Sequence, residues 1–317
     1  MSRAVLVQAT PRTPAGLLTA AGWDALRAAG TVRVHVPAGG TEPDPGWWQA
    51  LADAGVDVVR ETSLADVPGT WFDPAGDDAL AGALARAAVA AGMELEVVLG
   101  AYDLPGARLL DLVAVMDRLR SPGGCPWDAQ QTHESLLRYL VEEAYEVVEA
   151  VETGDRDHLV EELGDLLLQV VFHARVGAEH AEAPFTVDDV AAGIVAKLVR
   201  RHPHVFAGAS APTAEHVDAR WEELKAQEKQ RDSALDGVPP ALPALARADK
   251  LVDRATRAGL PAPQPAALGG EGVGEHLLAV VVAARQHGVE PEGALREALR
   301  RYEAEVRAAE RAAERAG

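Results

Sequence analysis

Two acidic helical segments, separated by a Thr-Gly stop, constrain this chain more than any other feature of it. Residues 140–152 read LVEEAYEVVEAVE, apolar at 140, 141, 144, 147, 148 and 151 and acidic at 142, 143, 146, 149 and 152. At 100° per residue these sets fall on opposed faces of a helix, and Glu142, Glu143 and Glu146 share one patch. The next segment, EELGDLLLQVVFHA (161–174), spaces Glu162 and Asp165 three apart, one turn along one face. Leu159, Val160, Leu163, Leu166–Leu168 and Val170–Phe172 surround them. A helix apolar nearly all round is expected to be buried, and acids inside it need a partner or a metal. Carboxylates gathered without a cation repel one another, and hard oxygen donors of this kind suit Mg²⁺ completed by water and phosphate oxygens. The plain alternative is the solvated face of an amphipathic helix.

Composition decides what else the chain can be. It has 317 residues, with 30 Lys and Arg against 49 Asp and Glu, a formal net charge of −19. That balance excludes a general nucleic-acid binder, which needs a basic surface, yet leaves room for a polyphosphate bridged to the protein by a divalent cation. One cysteine, Cys125, excludes a disulfide framework and a Cys-based zinc site. No apolar run approaches the roughly 20 residues of a membrane helix, and the apolar stretch at the N-terminus is too short for a secretory signal. A cytoplasmic protein without a membrane partner is the expectation.

Along the chain, composition changes near residue 105. Residues 1–105 hold four of the six tryptophans and β-like runs at Ala4–Gln8, Val32–Val36, Val56–Val59 and Leu95–Leu99. Helix-like stretches, Gly16–Ala29 and Asp77–Ala91, alternate with them, and PAGGTEPDPG (37–46) punctuates the joins. This predicts a small α/β domain of unknown role. Residues 106–235 predict an all-α bundle. Its helices are expected over Leu109–Leu119, Leu136–Val151, Asp157–Glu179, Val187–Arg201 and Ala214–Arg231, with SPGGCPWD (121–128) as a loop. Residues 236–317 begin with a Pro-rich linker and return to helix from Gly274. The fold class is therefore mainly α, with a small α/β domain in front.

Several residues carry two readings. Lys197 and Arg201 are i,i+4 and can hold phosphate oxygens, or can be the ordinary basic end of a helix. Trp221 and Lys225 are also i,i+4, where the indole either stacks on a base or anchors a polar helix. Trp127 either lines a base pocket or locks its loop. His133 caps or orients the same loop, and His173 reads as a core histidine.

At these residues the chain resembles a known family. MDRLRSPGGCPWDAQQTHESL, LRYLVEEAYEVVEAV, HLVEELGDLLLQVVFHA, KLVRRHPHVFAG and ARWEELKAQEK, within Leu109–Leu242, are similar to MazG, the nucleoside triphosphate pyrophosphohydrolase family. The motif, EExxE then ExxD, falls on Glu142, Glu143, Glu146, Glu162 and Asp165. The resemblance implies an all-α domain that forms a homodimer or higher homo-oligomer. It implies Mg²⁺, with Mn²⁺ as a substitute, on Glu143, Glu146, Glu162 and Asp165, and Glu142 beside them or positioning water. Lys197 and Arg201 match triphosphate-contacting positions, and Trp221 and Lys225 positions near the nucleotide. The implied reaction cleaves NTPs or dNTPs between the α- and β-phosphates, giving NMP and pyrophosphate, as house-cleaning of the nucleotide pool. A nucleotide-binding regulator with little turnover is the rival.

The tail resembles a degenerate second unit of the same kind. VGEHLLAVVVAARQ (273–286) aligns with ELGDLLLQVVFHAR, which puts Val273 at the Glu162 position and His276 at the Asp165 position. Likewise Ala298 stands where Lys197 does. With its ligands gone, this segment is expected to serve packing or dimer support.

Overall fold

The computed structural model describes residues 3–37, 39, 42–64, 66–207, 213, 233–260 and 272–316. The expected helix over 214–231, with Trp221 and Lys225, lies outside the described residues. Among those residues the chain is mainly α, with twelve helices and one five-stranded sheet. No helix among them is long and apolar enough to cross a membrane. The chain divides into two compact units, Met1–Val195 and Ala196–Gly317.

The first unit opens as β1 (Arg3–Gln8), α1 (Ala20–Ala29), β2 (Thr31–His35), α2 (Pro45–Asp53), β3 (Asp57–Glu61), β4 (Gly69–Asp73), α3 (Asp78–Ala90) and β5 (Glu94–Leu99). The strands run parallel in the order β3-β2-β4-β1-β5. Successive side chains alternate between faces. Val7 and Phe72 join Leu26 of α1 and Leu51 of α2 on one side. Leu6 and Trp71 join Leu84 of α3 on the other. A parallel sheet needs this double cover, because both its faces are apolar.

All four expected strands form, within two residues of their predicted ends. Two elements of this α/β region escape the sequence reading. β4, GTWFD, is five residues of mixed character flanked by turn formers, and only burial of Trp71 and Phe72 on opposite faces makes it a strand. α2 begins inside PDPG, where Asp44 accepts from Gly46 N and Pro45 takes the first helical position, so a turn signal is also a helix start.

The unit continues with α4 (Arg108–Arg120), α5 (Pro126–Gln130), α6 (His133–Thr153) and α7 (Arg156–Gly177), and α8 (Val187–Arg201) runs across the division between the units. The Arg12 guanidinium pairs with Asp103 and Asp111 and ties the loop after β1 to the start of α4. Met116, Leu136, Val171 and Phe172 form the core shared by α4, α6 and α7. SPGGCPWD is a loop only to Cys125. Gly124 lies against the Leu119 carbonyl, where no Cβ fits, Cys125 N donates to that carbonyl (2.7 Å), and Pro126 then starts α5. Trp127 meets Tyr139 and Phe172 edge-on, at ring-centroid distances of 5.9 and 6.5 Å, which holds the loop on the core.

The expectation that α7 is buried all round is corrected. Val171, Phe172 and Ala174 are buried, but Val160 is 63% exposed and Leu163 48%. One chain covers one face of this helix.

In the second unit, α9 (Pro203–Phe206), α10 (Ala244–Arg257), α11 (Val273–Gln286) and α12 (Pro291–Ala316) follow the end of α8. The expected Pro-rich linker gives way at Pro243 to α10, a helix the sequence reading left out. Arg285 of α11 bridges Asp249 and Asp253 of α10, both at 2.7 Å, beside buried Val252 and Val281.

Gly22 of α1 tests the sheet-to-helix packing, because a Cβ there would stand 2.8 Å from the Gly100 backbone at the end of β5. Gly22→Ala is expected to destabilise the fold by roughly 1–3 kcal/mol. Gly82→Ala, whose Cβ meets only the tip of Arg86, should gain about 0.5–1 kcal/mol. Urea denaturation followed by tryptophan fluorescence distinguishes the two.

Candidate metal centre

The site is built by a helical hairpin. Thr132 caps α6, with Ser135 returning the bond to the Thr132 backbone N–H in a capping box. Gly154 ends α6 in the left-handed region (φ 73°), and Asp155 at once caps α7 by accepting from Asp157 N and His158 N. Two residues therefore turn the chain back on itself, and equal distances from the turn lie at equal heights. Glu146 stands eight residues before Gly154 and Glu162 eight after; Glu143 and Asp165 stand eleven before and eleven after. The spacing of the two motifs and the tightness of the turn together set acid opposite acid.

The carboxylates converge as that symmetry requires. Ligand-capable oxygens of Glu143, Glu146 and Glu162 lie within 4.8 Å of one another, Glu162 being buried and the other two half-buried. Burial pushes the Glu143 carboxyl up to about 7, helped by a hydrogen bond with Glu146 and by the charges of Asp165, Glu146 and Glu162. Burial also raises Glu162, with Glu146 adding to it and His158 opposing. Protonation is one way to relieve such crowding, and a divalent cation is the other. Three converging carboxylates on a helix pair, with Glu143 and Glu162 both raised in proton affinity, fit a hard cation of the Mg²⁺ type.

Of the sequence-predicted residues, the structure brings Glu143, Glu146 and Glu162 together. Asp165 stays outside that group of three but is near enough for its charge to raise both Glu143 and Glu162. Glu142 is exposed and also outside it. Lys197 and Arg201 lie near the end of α8 in the second unit, Lys197 exposed and Arg201 buried.

The sequence reading missed one neighbour. His158 Nε2 lies 2.9 Å from Glu162 Oε1. The i,i+4 spacing of His158 and Glu162 is a signal for that contact. The structure also changes the role of His133. Thr132 is the cap, and the His133 ring instead stacks on His173 with the two Nδ1 atoms 2.8 Å apart, so one ring donates and the other accepts. Burial, then the charge of His133, lowers the His173 pKa.

Comparison with known proteins bears on the same hairpin. Residues 131–206 match the MazG nucleotide pyrophosphohydrolase domain. Over 239 residues the chain is 53% identical to an uncharacterized 26.1 kDa protein of Streptomyces cacaoi, across 74% of this chain and 97% of that protein. It is 51% identical over 180 residues to the nucleoside triphosphate pyrophosphohydrolase of Mycolicibacterium smegmatis, across 56% of this chain and 54% of that enzyme. It therefore spans about half the length of that mycobacterial relative. With the nucleoside triphosphate pyrophosphohydrolase/pyrophosphatase MazG of Thermotoga maritima it shares 38% identity over 218 residues, across 61% of this chain and 81% of that protein. With its domain match covering the carboxylate hairpin and its similarity running most of the length of a named member, this chain belongs to the MazG family.

Proposed function

We propose that the protein is a Mg²⁺-dependent nucleoside triphosphate pyrophosphohydrolase, cleaving NTPs or dNTPs between the α- and β-phosphates to NMP and pyrophosphate. The observation that carries this reading is the convergence of Glu143, Glu146 and Glu162 across the α6–α7 hairpin. With Asp165 they would hold the cation, Mn²⁺ serving in place of Mg²⁺. Bound there, it supplies charge neutralisation of the phosphates, which anhydride cleavage requires. Glu162 is oriented by His158. Glu142, exposed and outside the group of three, stands beside the ligands or positions the attacking water. Lys197 and Arg201 bind triphosphate oxygens, and Trp221 and Lys225 contact the nucleotide. The role is house-cleaning of noncanonical or surplus nucleotides.

The working unit is a homodimer or larger homo-oligomer. Leu137, Val141 and Tyr145 of α6 and Val160 and Leu163 of α7 are exposed apolar residues beside the site. Gly164, in mid-helix, has open space where its Cβ would stand. A helix-interior glycine costs roughly 0.5–1 kcal/mol, and a second chain lying against α7 accounts for it.

Product analysis by anion exchange, with pyrophosphate assayed apart from phosphate, tests the reaction. The expected result is NMP and pyrophosphate, abolished by EDTA and reduced by about 10²–10³-fold in Glu146→Gln, the usual size of losing one electrostatic contributor. Recovery of NDP and phosphate would overturn the cleavage site. Mg²⁺-dependent nucleotide binding without any product would establish the regulatory reading instead. His158→Ala is expected to weaken apparent Mg²⁺ affinity by roughly 10–100-fold, as loss of a hydrogen-bond partner of a ligand does.

The proton on Glu143 gives a pH prediction. Its carboxyl titrates near 7 in the fold and near the ordinary 4.5 when unfolded. Between those values the folded chain binds more protons than the unfolded one, so metal-free stability falls as pH rises. Metal binding must expel that proton, so Mg²⁺ affinity should climb with pH up to about 7 and then level. Thermal unfolding at several pH values, with and without Mg²⁺, measures both. Glu143→Gln should lose the added slope in metal-free stability. Oligomerisation is read by light scattering on the eluting protein, where Leu137→Glu should shift the mass toward one chain.

A further inference from the structure

The α/β domain contains a cavity that the carboxylate site does not use. From β1 the chain goes to β2 and β3 with α1 and α2 on one face, and from β4 it goes to β5 with α3 on the other. β1 and β4 are neighbours whose connections diverge onto opposite faces of the sheet. In open parallel sheets the crevice at that divergence is where ligands bind. Here a cavity of about 560 Å³ occupies it, within the usual size of a small-molecule site. Both layers contribute to it, Trp47 and Phe72 from the α1–α2 side and Leu80 from α3.

Its chemistry is one-sided. Glu42, Asp44, Asp73 and Asp77 line it, and no Lys or Arg does among the described residues. The N-termini of α2 and α3 border it, and both are already capped by carboxylates: Asp44 accepts from Gly46 N and Asp77 from Ala79 N, each at 2.8 Å. A phosphate therefore finds no Lys or Arg among the described lining residues, and at both helix starts it meets a carboxylate already in place. These acids do not form a metal cage either; among the described residues the one group of converging ligands is Glu143, Glu146 and Glu162. Asp73, 2% exposed, is committed to the turn after β4 through Ala75 N, Gly76 N and Asp77 N. His35, at the carboxyl end of β2, lines the cavity with its buried Nδ1 lacking a hydrogen-bond partner.

We propose that this cavity binds a small, non-phosphorylated organic cation with an apolar body, an amine of the arylalkyl class. The body lies against Trp47, Phe72 and Leu80, the charge faces the ring of carboxylates, and a polar group of the ligand pairs with His35 Nδ1. The site is separate from the nucleotide chemistry and gives the α/β domain a ligand of its own.

Two probes with one ring system and opposite charge test this: tryptamine and indole-3-acetate, titrated into the full chain with saturating Mg²⁺ and followed by amide and indole N–H chemical shifts. Tryptamine is expected to bind about tenfold or more tightly than the anion, the difference of a single favourable charge contact. Its shifts should centre on Trp47, His35 and residues 73–80. Ala83→Phe, which fills the cavity, should weaken tryptamine about tenfold or more, and Thr13→Tyr, at another lining residue, fills it if the first variant does not fold. The proposal is overturned if indole-3-acetate binds as well as tryptamine. It is equally overturned if neither probe gives saturable shifts at about 5 mM, weaker than ordinary small-molecule binding, or if binding survives cavity filling.

Discussion

The repulsion between carboxylates held face to face across the α6–α7 hairpin is the constraint on which the rest of this structure turns. Left to themselves, Glu143, Glu146 and Glu162 would separate or take up protons, and Glu143 does keep its proton to about pH 7. What keeps them together is backbone: a capping box at Thr132, a left-handed Gly154 and the Asp155 cap. Below them, Leu136, Val171 and Phe172 pack with Met116, and burial of such side chains contributes roughly 1.5–3 kcal/mol each. The hydrophobic core thus maintains an electrostatic arrangement that is unfavourable without a cation. A fold that stores unfavourable charge in this way marks a candidate functional site, and the cation proposed for it would relieve that charge.

That economy shapes the surfaces too. A helix as apolar as α7 would ordinarily be enclosed by its own chain, yet Val160 and Leu163 stand open. The loop from Ser121 to Cys125 serves the same hairpin from the other side, because Trp127 closes over Tyr139 and Phe172 only if Gly124 lets the chain pass the Leu119 carbonyl. The α/β domain obeys different rules. Its sheet is enclosed by helices on both faces, and its polar groups gather at the carboxyl ends of the strands, where parallel topology opens a crevice.

Much of this was legible in the sequence, for identifiable reasons. The acidic helices announce themselves through a 3.6-residue period that no strand can satisfy, and their limits are marked by Thr132, Gly154 and Asp155. The first four strands to be recognised are β-branched runs. β4 was hidden because its five residues carry no alternation and become a strand only between β1 and β2. α2 and α10 were hidden because proline marks both a turn and a helix start, and only the fold shows which. His158 went unread beside Glu162 because histidine one turn before an acid is common on any helix.

The sequence by itself determined which residues could meet: it put Glu143 and Glu146 on one helical face, Glu162 and Asp165 on another, and both at matched distances from Gly154. Helical periodicity is local, so it survives without knowledge of the rest of the chain. Only the tertiary structure decided that Glu162 is buried, that Glu143 holds its proton, and that Glu142 stays exposed outside the group of three. Those outcomes depend on the distance between two helices and on what excludes water from between them, and such quantities are set by packing against α4 and α5, which lie outside the acidic hairpin itself.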